Sequence, residues 1–277
     1  MTRIKALAIF NALSFIIHLL FTYLIQAKII NNKNVSEISA EYESLFTPEG
    51  ITFSIWGIIY TLLGLFCLYH IRIAYKHDRT HAGNGELSKI GLWFIIINLA
   101  SAGWLVAWVN GYLSLSVLLI IIQLVGLIAI HIRLNIYRPD KTAGVKLCTQ
   151  FPLSVYLGWI SIATIANISS YLVASNWNAL NISPINWTII MMNIATLLSL
   201  LIIFLKKNIY FGLVVAWGLY GIMLKRKSAD EELYSNIIMT AWICIALIVM
   251  AAAVQLARNI SYRKPREIFP ESRFPIK

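Results

Sequence analysis

Charge is what this sequence has least of. Asp and Glu together supply 12 of its 277 residues, and all charged types together 13%. A water-soluble domain carries roughly a quarter, so a soluble globular fold is excluded. Cysteine is nearly as sparse. Cys67, Cys148 and Cys244 lie in or beside apolar stretches, with no CxxC pair and no set of His partners at ligand spacing. Buried free thiols are expected, and neither a disulfide framework nor a zinc site. There is no repeat of solenoid length, no low-complexity tract and no nucleotide-binding motif. ATP-driven transport therefore has no engine in these residues. Ionisable side chains are almost absent from the apolar interiors apart from His18, so ion-coupled transport lacks an obvious carrier.

What fills the chain instead is hydrocarbon. Hydrophobic residues make up 59%, and they gather in eight stretches at approximately 6–27, 51–71, 90–109, 113–132, 150–174, 187–205, 209–224 and 235–257. About 20 such residues cross a ~30 Å hydrocarbon core. The expected fold class is therefore all-α, a polytopic helical membrane protein. The seventh stretch is the weakest, at about 16 residues, and it requires Lys206-Lys207-Asn208 to form a tight turn. The first follows Arg3 and Lys5 as a signal peptide would. It runs on to Ala27 without a small-x-small cleavage site, and is read as a retained span. The net charge of +11 does not imply a nucleic-acid partner. Of the 23 Lys and Arg, all but Lys28, Lys33, Lys225, Arg226 and Lys227 fall on the side that holds the N-terminus. The positive-inside rule then puts both termini in the cytoplasm, which an even number of spans allows. The basic tail beyond residue 260 is expected to meet anionic lipid headgroups.

Three stretches carry polar and aromatic residues in pattern. TPEGITFSIWGIIYTLLGLFCLY, residues 47–69, opens like a helix, with Thr47 as N-cap, Pro48 at the first helical position and Glu49 at the positive end of the dipole. Trp56 and Tyr60 are four apart and share a face, and Gly57 and Gly64 form a shallow strip for a neighbouring helix. In QFPLSVYLGWISIATIANISSYLV, the residues Pro152, Tyr156, Trp159, Ala163, Asn167 and Ser170 fall within roughly 80° at 100° per residue. Such a stripe should not face lipid, because an amide in hydrocarbon needs partners. It either lines a ligand cavity or acts as interhelical glue, at about 0.6–2 kcal/mol per contact. The third stretch adds Asn98, Ser101, Trp104 and Trp108, with the two tryptophans one turn apart. His18 reads as a hydrogen-bonded structural side chain, or as an axial ligand to haem iron. The polar loop 28–48 is a lid or a plain connector. Asp230, Glu231 and Glu232, balanced by Lys225, Arg226 and Lys227, read as a solvated turn.

These segments resemble the TspO/MBR family, the tryptophan-rich sensory proteins related to the mitochondrial translocator protein. TPEGITFSIWGIIYTLLG is similar to the start of that family's second helix, with Pro48, Trp56, Tyr60 and Gly64 in register. YLGWISIATIAN is similar to its fifth, with Tyr156, Trp159, Ala163, Thr164 and Asn167 in register. NLASAGWLVAWVNGYLSLS, beginning at Asn98, is similar to its third-to-fourth passage. The resemblance covers about 1–176. It implies a five-helix bundle with a central pocket for porphyrins or other flat hydrophobic molecules, and often a homodimer. Three features differ. Ser101 and Gly103 stand where the family's third helix usually has a Trp and prolines. The fourth helix lacks the family's frequent acid and has Gln123 as its only polar side chain apart from serines. Three further spans follow residue 186.

The division expected is then a TspO-like unit at 1–176, three more transmembrane helices at 177–260 and a basic tail at 261–277. The function expected is that of an integral membrane receptor or sensor in a bacterial plasma membrane. Its ligand is flat and hydrophobic, a porphyrin, haem or sterol, held by Trp56, Tyr60, Asn98, Trp104, Trp108, Tyr156, Trp159, Ala163 and Asn167. No resident cofactor, metal or catalytic residue is expected. A small-molecule permease is the alternative, and light- or oxidant-dependent porphyrin breakdown an enzymatic third.

Overall fold

The structure, a computed structural model, describes residues 3–78, 80–136 and 141–261. Among the described residues the regular elements are all helical. In chain order they are α1 (Arg3–Gln26), α2 (Val35–Glu41), α3 (Ile55–Lys76), α4 (Ala82–Ile90), α5 (Trp93–Val109), α6 (Leu113–Leu134), α7 (Ala143–Val145), α8 (Phe151–Ala174), α9 (Pro184–Lys206), α10 (Ile209–Ala229) and α11 (Ser235–Ser261). A 3₁₀ turn, Gly50–Ser54, leads into α3, and a π turn, Lys146–Gln150, joins α7 to α8. The basic tail from 262 onward lies outside the described residues.

Among the described residues seven helices are long and apolar enough to cross a membrane, and α4 with α5, bent by 53°, passes as an eighth broken span. This is a polytopic all-α membrane protein. The break falls at Gly91, whose φ of +57° is a conformation that costs a residue with a Cβ. The turn demanded at 206–208 is present. Lys207 adopts the left-handed conformation, and Asn208 caps α10 by accepting from the Phe211 N–H at 3.2 Å. Ser183 and Pro184 start α9 in the same way, as N-cap and first helical residue.

Five helices close a ring: α1 packs on α3, α3 on α8, α8 on α6, α6 on α5, and α5 back on α1. The other three, α9, α10 and α11, pack on one another and reach the ring chiefly through α10 against α8. Glycine makes that contact close. A Cβ at Gly158 of α8 would stand 2.9 Å from the Phe211 carbonyl and 2.9 Å from the Val214 side chain of α10. The weak hydropathy of the seventh stretch follows from this position. Two thirds of its most apolar window is buried inside the protein, against one third for α1 or α9. A helix wrapped by protein need not be lipid-like all round.

Candidate functional site

Two adjoining hollows occupy the ring at the end away from the N-terminus. One is a cavity of about 40 Å³ walled by Trp159, Ala163 and Asn167 of α8, Trp104 and Trp108 of α5, and Ile120 and Gln123 of α6. It is covered by Ser39, Thr47, Pro48 and Phe53 from the segment between α1 and α3. The other, of about 230 Å³, is walled by Thr22 and Gln26 of α1, Tyr60 of α3 and Leu105 of α5, with Val35 and Ser36 of α2. Phe53, Trp56 and Trp104 border both, so these three rings form the partition.

The partition is held by aromatic contacts. Trp56 stacks on Tyr60 with centroids 5.3 Å apart, and stands edge-on to Trp159 at 6.3 Å and to Tyr156 at 6.1 Å. Phe53 meets Trp159 at 6.0 Å, and Trp104 stacks on Trp108 at 5.7 Å with planes 13° apart. Such offset pairs add about 0.5–1.5 kcal/mol each beyond burial.

Amide and hydroxyl groups tie the walls together. The Trp104 indole N–H donates to Asn167 Oδ1 at 2.9 Å, and Asn167 Nδ2 donates to Ser116 Oγ at 2.9 Å. One carboxamide thereby joins α5, α8 and α6. Behind the wall, Ser101 Oγ donates to Gln123 Oε1 at 2.7 Å and lies 2.7 Å from the Tyr156 hydroxyl. Trp108 donates its N–H to the Val35 carbonyl at 3.2 Å, which fastens α2 onto the ring. The Trp159 indole N–H is buried and has no partner among the described residues. It is a free donor at the hollow's wall, of the kind that structures otherwise satisfy.

Of the nine residues singled out in the sequence, Trp56, Tyr60, Trp104, Trp108, Trp159, Ala163 and Asn167 border one hollow or both. Asn98 and Tyr156 border neither. Asn98 faces α1, where its Oδ1 lies 3.1 Å from His18 Nδ1 while its Nδ2 donates to the Phe94 carbonyl at 2.8 Å. Tyr156 lies behind the wall with Ser101, and both bond to Gln123 of the wall. His18 is a hydrogen-bonded side chain outside both hollows. Thr47 is not the helix N-cap that its position suggested. Its Oγ1 accepts from the Ser44 N–H at 3.0 Å, within the covering segment, and α3 begins only at Ile55. Sequence reasoning missed Ser39, Phe53 and Ser116. Gln123 had a signal, as the one amide in its span.

A family model described as TSPO-like protein matches residues 8–254. The chain belongs to the TSPO-like family. No curated protein and no solved structure matches it. The TSPO-like match runs well past the resemblance seen at about 1–176. It takes in α9, α10 and most of α11, so the family pattern embraces the second helical group as well as the ring.

Proposed function

We propose that this TSPO-like protein is a membrane receptor for a flat hydrophobic ligand of the porphyrin class, held between the indoles of Trp56, Trp104 and Trp159, with both termini in the cytoplasm. The observation that carries this reading is the partition: three aromatic rings separating two hollows in one ring of helices. Flat apolar walls with few polar groups suit a flat apolar guest. Asn167 and the unpartnered Trp159 N–H supply the polar points that orient it.

The hollows of about 40 and 230 Å³ are each smaller than the roughly 300–1,000 Å³ of a typical small-molecule site. A tetrapyrrole therefore enters only if the partition swings aside and joins them. Ligand binding then selects an arrangement of α3 in which Trp56 stands aside beneath a cover that closes again, which is what a signalling partner reads. In detergent or nanodiscs, a porphyrin should quench the tryptophan emission in a saturable way, and Trp159→Ala should weaken that binding about tenfold or more, as befits a central aromatic contact. Unaltered emission, with a known porphyrin binder quenching in parallel, refutes the reading.

A further inference from the structure

The cover of the hollow is fastened to the second helical group as well as to the ring. The segment 42–54 carries Thr47, Pro48 and Phe53 over the cavity. Backbone, side-chain and charge contacts bind it to α10. The Glu49 N–H donates to the Gly221 carbonyl at 3.0 Å. The Trp217 indole N–H donates to the Thr52 carbonyl at 3.1 Å. Gly221 lets the two backbones meet, since a Cβ there would overlap Thr52 Oγ1 and stand 2.9 Å from Thr52 Cβ. Finally, the Arg226 guanidinium donates to the Glu43 carboxylate.

The ion pair corrects the solvated turn expected at 225–232. Arg226 is buried, with a side-chain exposure of 3%, while Glu43 keeps 33%. Lys225 approaches the same carboxylate at 3.7 Å, and Tyr234 lays its ring 5.3 Å from the guanidinium. A buried guanidinium deprived of its carboxylate is strongly unfavourable, so lifting the cover at Glu43 is resisted.

We propose that α10 positions the cover and that Arg226, with Trp217 and Gly221, sets how often it opens, and so how fast a ligand exchanges. This deepens the receptor reading above and relies on it for the ligand, but not for the cover. It also gives the second helical group a task. Cover opening precedes both entry and exit, and the Arg226 pair is present in the closed state with or without ligand. Weakening the pair therefore speeds both directions alike and leaves the affinity in place.

The test is hydrogen exchange of the full chain in nanodiscs, combined with stopped-flow binding of a porphyrin. In Arg226→Gln the Glu49 amide, whose acceptor is on α10, should exchange roughly tenfold faster, and amides in the middle of α8 should be unaltered. Porphyrin association and dissociation should both rise roughly tenfold, with Kd held within about threefold. Trp217→Phe, which removes one hydrogen bond and little volume, should give a smaller change in the same direction. The swapped pair Glu43→Arg with Arg226→Glu should restore slow exchange. Unchanged exchange over 47–52 in Arg226→Gln overturns the proposal. So does a weakened Kd at unaltered association rate, which marks damage to the wall. A wild-type protein that binds no porphyrin, yet shows faster Glu49 exchange on Arg226→Gln, upholds the positioning role and refutes the ligand reading alone.

Discussion

Replacing Asn167 by Ala should destabilise the protein by about 1–3 kcal/mol, nearly all of it from one orphaned donor. Asn167 is buried and makes two hydrogen bonds of 2.9 Å, one from Trp104 and one to Ser116. Ser116 is little harmed by the loss, because its hydroxyl still donates to the Leu113 carbonyl at 2.7 Å. The Trp104 N–H has no second acceptor among the described residues, so it bears the desolvation cost. Interhelical hydrogen bonds in membrane proteins average about 0.6 kcal/mol, so the loss should fall near the bottom of that range. Trp104→Phe removes the same bond from the other side and also trims the stack on Trp108. In the double variant the orphan is gone. The two losses should therefore fall short of additivity by roughly 0.6–2 kcal/mol. Reversible unfolding in mixed detergent micelles, followed by circular dichroism, measures all four corners of the cycle. Additivity within about 0.3 kcal/mol would refute the claim that this carboxamide ties α5 to α8.

Two further outcomes are expected. Gly158→Ala should cost about 1–3 kcal/mol by overpacking, because the added methyl meets backbone at Phe211 and has nowhere to go; an unchanged unfolding midpoint would disprove the close α8–α10 contact. The Glu37 carboxyl is held below its ordinary value of 4.5 by the Lys28 ammonium at 2.7 Å and by the Asn34 backbone N–H at 2.8 Å. A lowered carboxylate contributes stability that is whole above the ordinary value and is lost as pH falls through the folded one. The amide protection of α2 should thus hold from pH 7 to about 5 and drop below about pH 4. Glu37→Gln should abolish that step.

Much of this arrangement was legible because a buried helix face announces itself at a spacing of three and four. Trp159, Ala163 and Asn167 could be placed on one side of α8 from spacing alone, and they do share a wall. The same rule places Trp56 with Tyr60 and Trp104 with Trp108, which stack as neighbours one turn apart should. Spacing fixes a face but not which neighbour that face meets. Tyr156 lies in the same stripe as Trp159, yet it turns to Ser101 and Gln123, and Asn98 turns to His18. Thr47 and Pro48 show a different limit. Local capping rules favour a helix from that point, but the backbone of 49–52 is drawn instead to α10, about 170 residues later, by contacts that no local pattern encodes. Arg226 is the same lesson in charge. Set among basic and acidic neighbours it reads as solvated, and only the fold brings Glu43 to it.

The bend at Gly91 also matters for the surrounding lipid. With α4 turned away by 53°, the straight part of that crossing is the 17 residues of α5, roughly 25 Å long at 1.5 Å per residue. That falls short of the ~30 Å acyl region. Ile96 and Leu99 stay exposed on it, which leaves this short wall apolar where lipid would meet it. The bilayer must pinch there while remaining of full depth beside α9 and α11, at a cost of a fraction of a kcal/mol per Å. Such a lopsided collar favours thin membranes, and it pulls together any bodies that deform the leaflet on matching flanks.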